Sequence, residues 1–317
     1  MAGNDVGDFL ERHSDVLARF FEHVAEMVFL MEVVGYRQFR YLLINAEAKK
    51  YAGLGQTACG KRIEEVYADQ PHIAELLISK YQEAVDTRKP VLFVWDDTIC
   101  CESILTPILN SAGVCTHVLS LVRDVTPRKR LVEQLQFMAY HDTLTGLPNR
   151  RLFQERLSAA LAQHAETGLP FAVLYLDCDL FKTVNDTMGH EIGDRFLQEF
   201  ARRLQTSVRT LDTVARLGGD EFVILLLSVA DHGEAIRLTE QILASVRRPW
   251  KIQQHEFTAS VSIGVAFCPQ DGSSSQLLMR HADVALYLAK AEGRNQYALF
   301  DRASCPCCQA SCQRAAP

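Results

Sequence analysis

The sequence lacks any run of eighteen apolar residues, the length that a membrane-spanning helix needs. Its longest apolar stretches, near Met27–Val34 and Phe222–Leu227, have the length of strands. The first fifteen residues, MAGNDVGDFLERHSD, are acidic and do not show the basic-then-apolar order of a signal peptide. The sequence therefore predicts a cytoplasmic protein without a membrane segment.

An excess of positive charge is also missing, because the formal net charge of the 317 residues is −6. Proteins that bind DNA or RNA usually carry a basic surface, so neither nucleic acid is an expected partner. A nucleotide ligand stays open, since a few clustered cations are enough to hold one. The hydrophobic share of 48% excludes a disordered chain, and the length predicts two domains.

The ten cysteines fall into two groups. Six lie mostly within apolar stretches and are expected to be buried free thiols in a reducing compartment: Cys59, Cys100, Cys101, Cys115, Cys178 and Cys268. The other four crowd the segment CPCCQASC: Cys305, Cys307, Cys308 and Cys312. Their spacing could hold a soft metal, but no histidine or second cysteine pair supports that reading. Residues 304–317 are therefore predicted to be a disordered, Cys-rich tail.

The N-terminal part of the chain alternates strand-like and helical patterns. Helical spacing covers residues 8–26, 46–51 and 72–86. The strand-like runs are Val28–Val34, Phe39–Ile44, Val91–Trp95, Ile99–Leu109 and Val114–Val122. This order, closed by the segment RDVT at residues 123–126, resembles a PAS sensor domain. The resemblance implies a five-stranded antiparallel sheet with small helices over residues 17–126, preceded by an N-terminal helix at residues 1–16.

The sequence does not identify a PAS ligand. His72 raises a haem hypothesis, but a solvated histidine near a helix start is the commoner case. Cys100 and Cys101 are neighbours on one strand, so their side chains are expected on opposite faces.

Residues 127–140, PRKRLVEQLQFMAY, predict a linker helix that begins with a proline. Leu131, Leu135 and Met138 recur at coiled-coil spacing. The helix is either a plain linker packed on one domain or a dimeric signalling helix, and its short length leaves both readings open.

The C-terminal part alternates helices and strands. Helices are predicted through Leu157–Gln163, Ile192–Leu204, Glu234–Val246 and Ser275–Ala291. Strands are predicted at Phe171–Leu176, on both sides of a hairpin around Gly218–Gly219, in a pair ending in SVSIGVAF, and at Gln296–Phe300. This pattern predicts an α/β domain with one sheet.

Four sequence blocks point to a specific chemistry: HDTLTGLPNR, LDCDLFKTVNDTMGHEIGD, RLGGDEF and AKAEGRNQY. The glycines of RLGGDEF alone would suit a simple hairpin turn. Together the blocks have the order and spacing of the GGDEF family, the diguanylate cyclases, and residues 141–303 are identified as a member of it. The resemblance implies a palm-like mixed sheet flanked by helices.

Two acids are predicted to meet at one edge of that sheet. Asp177 ends an apolar strand and Asp220 lies on the hairpin, so neighbouring strands would bring both carboxylates to Mg²⁺ or Mn²⁺. The resemblance makes Asp177, Asp220 and the backbone carbonyl of Cys178 the metal ligands. It makes Asp177, Asp220 and Glu221 the catalytic residues, with Glu221 either assisting deprotonation of a 3′-hydroxyl or holding a second metal.

The substrate is expected to bind close to the backbone. Gly218 and Gly219 lack side chains, so a nucleotide can approach them closely. The free N–H groups of Leu180, Phe181 and Lys182, at a helix start, can hold phosphate.

Four more side chains are predicted to bind the substrate. Lys290 and Arg294 lie four residues apart, which predicts one helix face, and the resemblance places both on the triphosphate. The alternative is a surface cation pair. Asn185 and Asp194 read guanine in the family, which favours GTP over ATP. As alternatives, Asn185 is a helix cap and Asp194 a first-turn charge.

The segment RTLD, residues 209–212, matches the family's inhibitory RxxD site for the product. Arg209 and Asp212 are therefore predicted to bind cyclic di-GMP. An ordinary ion pair between them is the alternative reading.

The sequence thus predicts a PAS-regulated diguanylate cyclase that converts two GTP into cyclic di-GMP and two pyrophosphates. Because each active site holds one GTP, the reaction requires a homodimer. The alternative is a catalytically inactive GGDEF domain that acts as a receptor for GTP or cyclic di-GMP, but the intact acids favour the enzyme.

Overall fold

The computed structural model describes residues 13–51, 58–96 and 99–301, which fall into two compact units divided between Glu133 and Gln134. The predicted Cys-rich tail, residues 304–317, lies outside the described residues. None of the helices within the described ranges is long and apolar enough to cross a membrane.

The N-terminal unit is built on a five-stranded antiparallel sheet of strand order β2-β1-β5-β4-β3. Its elements are α1 (Ser14–His23), β1 (Met27–Gly35), β2 (Gln38–Ile44), α2 (Ala46–Tyr51), α3 (Ile63–Val66), α4 (Pro71–Thr87), β3 (Val91–Asp96), β4 (Cys100–Leu109) and β5 (Cys115–Asp124). The five strands agree with the prediction and with a PAS-like architecture. The four-residue helix α3 was not predicted, because one helical turn shows no periodicity. Helix α1 continues past residue 16, the predicted boundary of the N-terminal helix.

The linker forms one helix, α5 (Thr126–Tyr140), none of whose residues is buried. The RDVT segment fixes its start: the Thr126 amide donates to Asp124 Oδ1 at 2.8 Å, and the Thr126 hydroxyl accepts from the Cys100 amide at 2.8 Å. Leu131, Leu135 and Met138 are exposed on this helix. The dimer seam therefore stays a prediction, with its apolar side chains uncovered in the single chain.

The C-terminal unit is built on a mixed five-stranded sheet of order β12-β11-β6-β8-β7, in which only β11 and β12 run parallel. Its elements are α6 (Arg150–Thr167), β6 (Phe171–Asp179), α7 (Phe181–Met188), α8 (His190–Ser207), β7 (Thr213–Gly218), β8 (Glu221–Leu226), α9 (His232–Val246), β9 (Trp250–Ile252), β10 (His255–Phe257), β11 (Ser260–Cys268), α10 (Ser275–Ala291) and β12 (Tyr297–Leu299). The mixed sheet confirms the predicted fold class. The expectation of one sheet is incomplete, because β9 and β10 form a second, two-stranded sheet.

Helices cover both faces of this sheet, so its central strands read as continuous apolar runs. Alternate residues of β6 serve two cores. Leu174 and Leu176 pack in the core that α8 and α9 complete, while Val173 and Tyr175 pack in the core that α6 and α10 complete. Asp177 continues the second set, so it emerges on the α6/α10 face.

Candidate functional site

The hairpin between β7 and β8 turns through Gly219 and Asp220, one residue later than the predicted Gly-Gly pair. Gly218 and Gly219 have φ values of 146° and 53°, a conformation that side chains disfavour. A Cβ atom at either position would meet no atom within 4 Å. The glycines therefore set the backbone shape and leave open space beside it.

Arg216 supports this hairpin through hydrogen bonds from its guanidinium. Its Nε and Nη2 donate to the carbonyl of Gly219 at 2.9 and 2.7 Å, and its Nη1 donates to both carboxylate oxygens of Asp142 at 2.9 and 3.1 Å. Only 9% of the Arg216 side chain is exposed. A charged pair this well shielded is expected to fix geometry, because breaking it would leave a nearly buried charge.

Asp142 is equally well connected. One of its carboxylate oxygens accepts from the Thr145 amide at 2.8 Å and from the Thr145 hydroxyl at 2.6 Å. Burial alone would raise the pKa of the Asp142 carboxyl, but the bonds from Thr145 and Arg216 outweigh burial and lower it. Asp142 and Arg216 each lie in one of the four sequence blocks, but neither was among the predicted site residues.

Asp177 and Glu221 lie directly opposite each other on the neighbouring strands β6 and β8. Lys290, in the last turn of α10, places its Nζ 2.8 Å from Asp177 Oδ2. Burial raises the pKa of the Asp177 carboxyl, the Lys290 ammonium opposes that rise, and the Asp220 carboxylate adds to it, so that the net shift is upward. The structure thus gathers the predicted acids at one sheet edge with a single strong counter-charge on Asp177.

Cys178 meets the hairpin through its backbone. Its amide donates to the carbonyl of Asp220 at 3.3 Å. In a strand the N–H and C=O of one residue point to the same side, so the Cys178 carbonyl also faces the hairpin. The Cys178 thiol is buried, and burial raises its pKa well above the ordinary value. The thiol packs in the core that α8 and α9 complete, on the face of the sheet opposite Asp177, which fits the expectation that only the carbonyl matters.

Glu221 has two polar neighbours on the α6/α10 face. Arg150 Nη2 lies 3.9 Å from Glu221 Oε2, and Tyr175 lies on the same face of the sheet, close enough to feel the Glu221 charge. Burial, reinforced by the charge of Glu221, raises the pKa of Tyr175 to about 12. Tyr175 therefore stays protonated beside Glu221.

The oxygen donors at this edge suit a hard divalent cation. Asp177 and Asp220 supply carboxylates and Cys178 a carbonyl, the ligand types that Mg²⁺ prefers. Burial, with the Asp220 carboxylate adding to it, raises the pKa of Asp177, so its ionised form would gain from a bound cation. Within the described part of the chain, no group of three or more His, Cys, Asp and Glu side chains is arranged as a metal site. The predicted set relies instead on two side chains and one backbone oxygen.

Helix α7 begins directly beyond β6. Leu180 stands at its N-cap with a φ of 58°, which turns the chain sharply from strand to helix. The N–H groups of Phe181 and Lys182 lie in the first turn, where an α-helix offers no intrahelical acceptor. The predicted phosphate cradle therefore lies at the same sheet edge as the acids.

Asn185 and Asp194 lie on the adjacent helices α7 and α8. The Asn185 amide packs against buried Gly193, because a Cβ atom on Gly193 would stand 1.8 Å from Asn185 Oδ1. Only glycine therefore leaves the Asn185 amide where it is, against the residue that precedes the exposed Asp194. Gly193 precedes Asp194 in one of the four blocks but was not among the predicted site residues.

Arg294 is not on one helix face with Lys290, and this prediction is wrong. Helix α10 ends at Ala291, and Arg294 follows in a left-handed turn with a φ of 64°. Buried Asp179 anchors that turn, because its carboxylate accepts from the Asn295 amide at 3.1 Å. Asp179 also accepts from the hydroxyls of Ser260 and Ser262, both at 2.7 Å. Arg294 is thus held near the end of β6 by a carboxylate that sequence reasoning overlooked.

The RxxD segment forms a turn in which its two side chains differ in access. The Asp212 side chain is 0% exposed, and its two oxygens accept from the Arg209 and Leu227 amides, both at 3.0 Å. Arg209 is 41% exposed and donates to Asp212 at 3.3 Å and to Glu234 at 3.1 Å. The accessible recognition group of this segment is therefore the Arg209 guanidinium.

Comparison with known proteins agrees with this geometry. Residues 139–296 match the family described as diguanylate cyclase, GGDEF domain. The bifunctional diguanylate cyclase/cyclic di-GMP phosphodiesterase MucR from Pseudomonas aeruginosa is 45% identical over 176 residues, which cover 56% of this chain and 26% of MucR. The chain thus spans about a quarter of that relative's length.

Two solved structures resemble the C-terminal unit. The GGDEF domain of TpbB from Pseudomonas aeruginosa is 40% identical with a TM-score of 0.50, covering 51% of this chain and 94% of that one. The coiled coil and GGDEF domain of DgcB from Caulobacter crescentus, solved in complex with c-di-GMP, is 30% identical with a TM-score of 0.50, covering 55% and 93%. The chain therefore belongs to the GGDEF family, and residues 139–296 form its GGDEF domain.

Proposed function

We infer that the protein is a diguanylate cyclase that condenses two GTP molecules into cyclic di-GMP and releases two pyrophosphates. The observation that carries this proposal is the intact acid set Asp177, Asp220 and Glu221 at one sheet edge, with Lys290 beside it. Relatives named as diguanylate cyclases support the same assignment.

Asp177, Asp220 and the Cys178 carbonyl would hold the divalent cation, which when bound neutralises phosphate charge and lowers the pKa of an attacking hydroxyl. Lys290, now paired with Asp177, is placed to transfer its ammonium contact to a phosphate oxygen. The N–H groups at the start of α7 and the guanidinium of Arg294 would hold the remaining phosphate charge.

Glu221 is the proposed base for the 3′-hydroxyl. Its carboxylate is about half exposed, with Arg150 and Tyr175 as neighbours, so it can accept a proton at the open edge of the sheet. Asn185 and Asp194 would read the guanine edge. Each site serves one GTP, so two catalytic domains must face each other, and we propose that the exposed leucines of α5 help to pair them.

We propose that the product inhibits through the RxxD turn. Arg209 offers a planar guanidinium for a phosphate or a guanine edge. Asp212, buried beneath it, fixes the turn rather than reaching solvent. No group of the catalytic edge is part of this turn, so inhibition is expected to be non-competitive with GTP.

The proposal is tested by pyrophosphate release from GTP and Mg²⁺ with the full chain. Asp220→Ala should abolish turnover, and Glu221→Gln should lower the rate about 100-fold or more while GTP binding is retained. Asp69→Ala, an exposed acid of the N-terminal unit, is the matched control and should leave the rate unchanged. A dimeric wild-type protein that binds GTP without releasing pyrophosphate would instead establish the receptor function.

A further inference from the structure

A cavity of about 330 Å³ lies inside the N-terminal unit, between the inner face of its sheet and helix α4. Phe29, Leu105 and Val122 line it from the sheet, and Ile73 and Leu77 line it from the helix. Its volume is at the lower end of the range for small-molecule sites. It corresponds to about eleven water molecules in the liquid, or to a molecule of about ten to fifteen non-hydrogen atoms.

The cavity wall carries no formal charge. Among the described residues that line it, there is no Asp, Glu, Lys, Arg or His side chain. His72, the one histidine that raised a haem hypothesis, is exposed and is not part of the lining. An ionised ligand would therefore lose its hydration without gaining a counter-charge, which disfavours carboxylates, phosphates and amines.

Hydroxyl groups supply the polar part of the wall. Five hydroxyl side chains line it, each with one O–H donor: Tyr41, Tyr67, Tyr81, Ser103 and Ser120. The Ser103 hydroxyl accepts from Trp95 Nε1 at 3.0 Å, which leaves its own O–H able to donate to a ligand.

These donors stay protonated at every physiological pH. Burial raises the pKa of Tyr41 and of Tyr81 far above the ordinary value, and it raises the pKa of the neighbouring Cys101 thiol to about 12. The wall therefore offers hydrogen-bond donors on an apolar surface, a lining that matches acceptor groups on a neutral molecule.

We propose that this cavity is a binding site for a small, uncharged ring compound with carbonyl oxygens. The Ser103, Ser120 and tyrosine hydroxyls would donate hydrogen bonds to those oxygens. The rings would bury against Phe29, Leu105 and Leu77. Partly exposed Tyr67 and Trp95 mark the side from which such a molecule would enter.

The test is calorimetric titration of the full chain with three probes of similar size: 1-tetralone, tetralin, which lacks the carbonyl, and 1-naphthoate, which adds a charge. We expect 1-tetralone to bind with a Kd of about 0.1 mM or tighter. Tetralin should bind at least about fivefold more weakly, and 1-naphthoate should not bind. Binding needs no cyclase activity, so this result is independent of the proposed enzyme.

Three variants locate the site. Ser103→Ala should weaken 1-tetralone about fivefold and leave tetralin unchanged, because it removes one hydroxyl and no packing. Leu77→Phe should weaken both neutral probes by filling the cavity, and Ser111→Ala, in an exposed turn, is the matched control. No binding of 1-tetralone to the folded chain, equal binding of tetralin, tighter binding of 1-naphthoate, or an unaffected Ser103→Ala variant would each overturn the proposal.

Discussion

Both units of this protein contain a five-stranded sheet, but the two sheets are covered differently. In the C-terminal unit helices pack on both faces, and the central strands are buried throughout. In the N-terminal unit one face carries the core, while the other leaves apolar side chains exposed, including Leu92 at 63% and Val94 at 61%. Polar chemistry is accordingly found in different places in the two units.

The C-terminal unit concentrates charge at a sheet edge, where water and a charged ligand can reach it. Asp177, Asp220 and Glu221 all lie where β6 and β8 meet the hairpin. The N-terminal unit instead encloses neutral hydroxyls inside its core. A packed, two-sided core can hold charged groups in fixed positions at its edge, whereas a one-sided core with a cavity suits a neutral ligand.

The largest expected effect is a loss of stability in the C-terminal core that leaves the N-terminal core unchanged. Gly264→Ala would place a Cβ atom 2.0 Å from the Ala282 carbonyl and 2.2 Å from the Leu286 amide, so α10 must move. We expect a loss of about 3 kcal/mol in the stability of the C-terminal unit. Urea unfolding followed at the two tryptophans reports each unit, because Trp95 lies in the N-terminal unit and Trp250 in the C-terminal one.

Gly233→Ala is the matched control, since its added Cβ meets only the ends of two side chains, Asp231 Oδ1 at 3.1 Å and Arg237 Nη1 at 3.5 Å. If the two cores unfold independently, the urea midpoint of the transition reported by Trp95 should not change in the Gly264→Ala variant. Equal displacement of both transitions would show that the two units unfold as one.

The next effect concerns the charged pair of Asp142 and Arg216 in the C-terminal unit. Asp142→Asn removes the carboxylate from nearly buried Arg216 and should reduce stability by about 2 kcal/mol at pH 7, with lower turnover because the Gly219 carbonyl loses its support. The folded pKa of Asp142 is lowered, so its stabilisation is present above the unfolded pKa and is lost as pH falls through the folded value.

The difference in unfolding free energy between wild type and Asp142→Asn should therefore shrink on acidification. Denaturant titrations at several pH values measure it, with Asp69→Ala as the control. A difference that does not change with pH would mean that the Asp142 charge does not stabilise this network.

A smaller effect tests how Asn185, which is proposed to bind the guanine edge, is positioned. Gly193→Ala should displace the Asn185 amide by steric contact and raise the KM for GTP about tenfold, with kcat nearly unchanged. Steady-state kinetics beside Gly233→Ala, another helical Gly→Ala exchange, provide the comparison. An unchanged KM in the folded Gly193→Ala variant would remove Asn185 from substrate binding.

The smallest effect concerns feedback. The Glu234 carboxylate accepts a hydrogen bond from the Arg209 guanidinium, so a product molecule that binds this guanidinium must displace Glu234. Glu234→Gln should lower the half-inhibitory concentration of cyclic di-GMP about two- to fivefold, the range of an exposed ion pair, while Arg209→Ala should abolish inhibition. Glu155→Gln, which disrupts the exposed pair with Arg151, is the control for initial-rate measurements. Inhibition that is the same in all four proteins would assign Arg209 a structural role only.

Local patterns in the sequence predicted most elements closely. The 17-residue helix α10 was predicted to the residue, because its apolar face repeats over more than four turns and Ser274 caps its start. The strands of both sheets followed from alternation or continuous apolar runs. The four blocks placed the acids on strand ends, and the family assignment followed from their order.

The sequence alone determined the helices, the strands, the family and the set of candidate acids, because these depend on which residue types follow one another along the chain. Tertiary structure decided which side chains meet. Asp142 and Arg216 are 74 residues apart, and Asp179 and Asn295 are 116 apart. Gly193 matters because Asn185 lies against it, Arg294 lies near the end of β6 because the turn after α10 is anchored on Asp179, and the N-terminal cavity lies between α4 and the sheet. Periodicity and propensity report on neighbours along the chain, whereas these contacts depend on how distant segments pack.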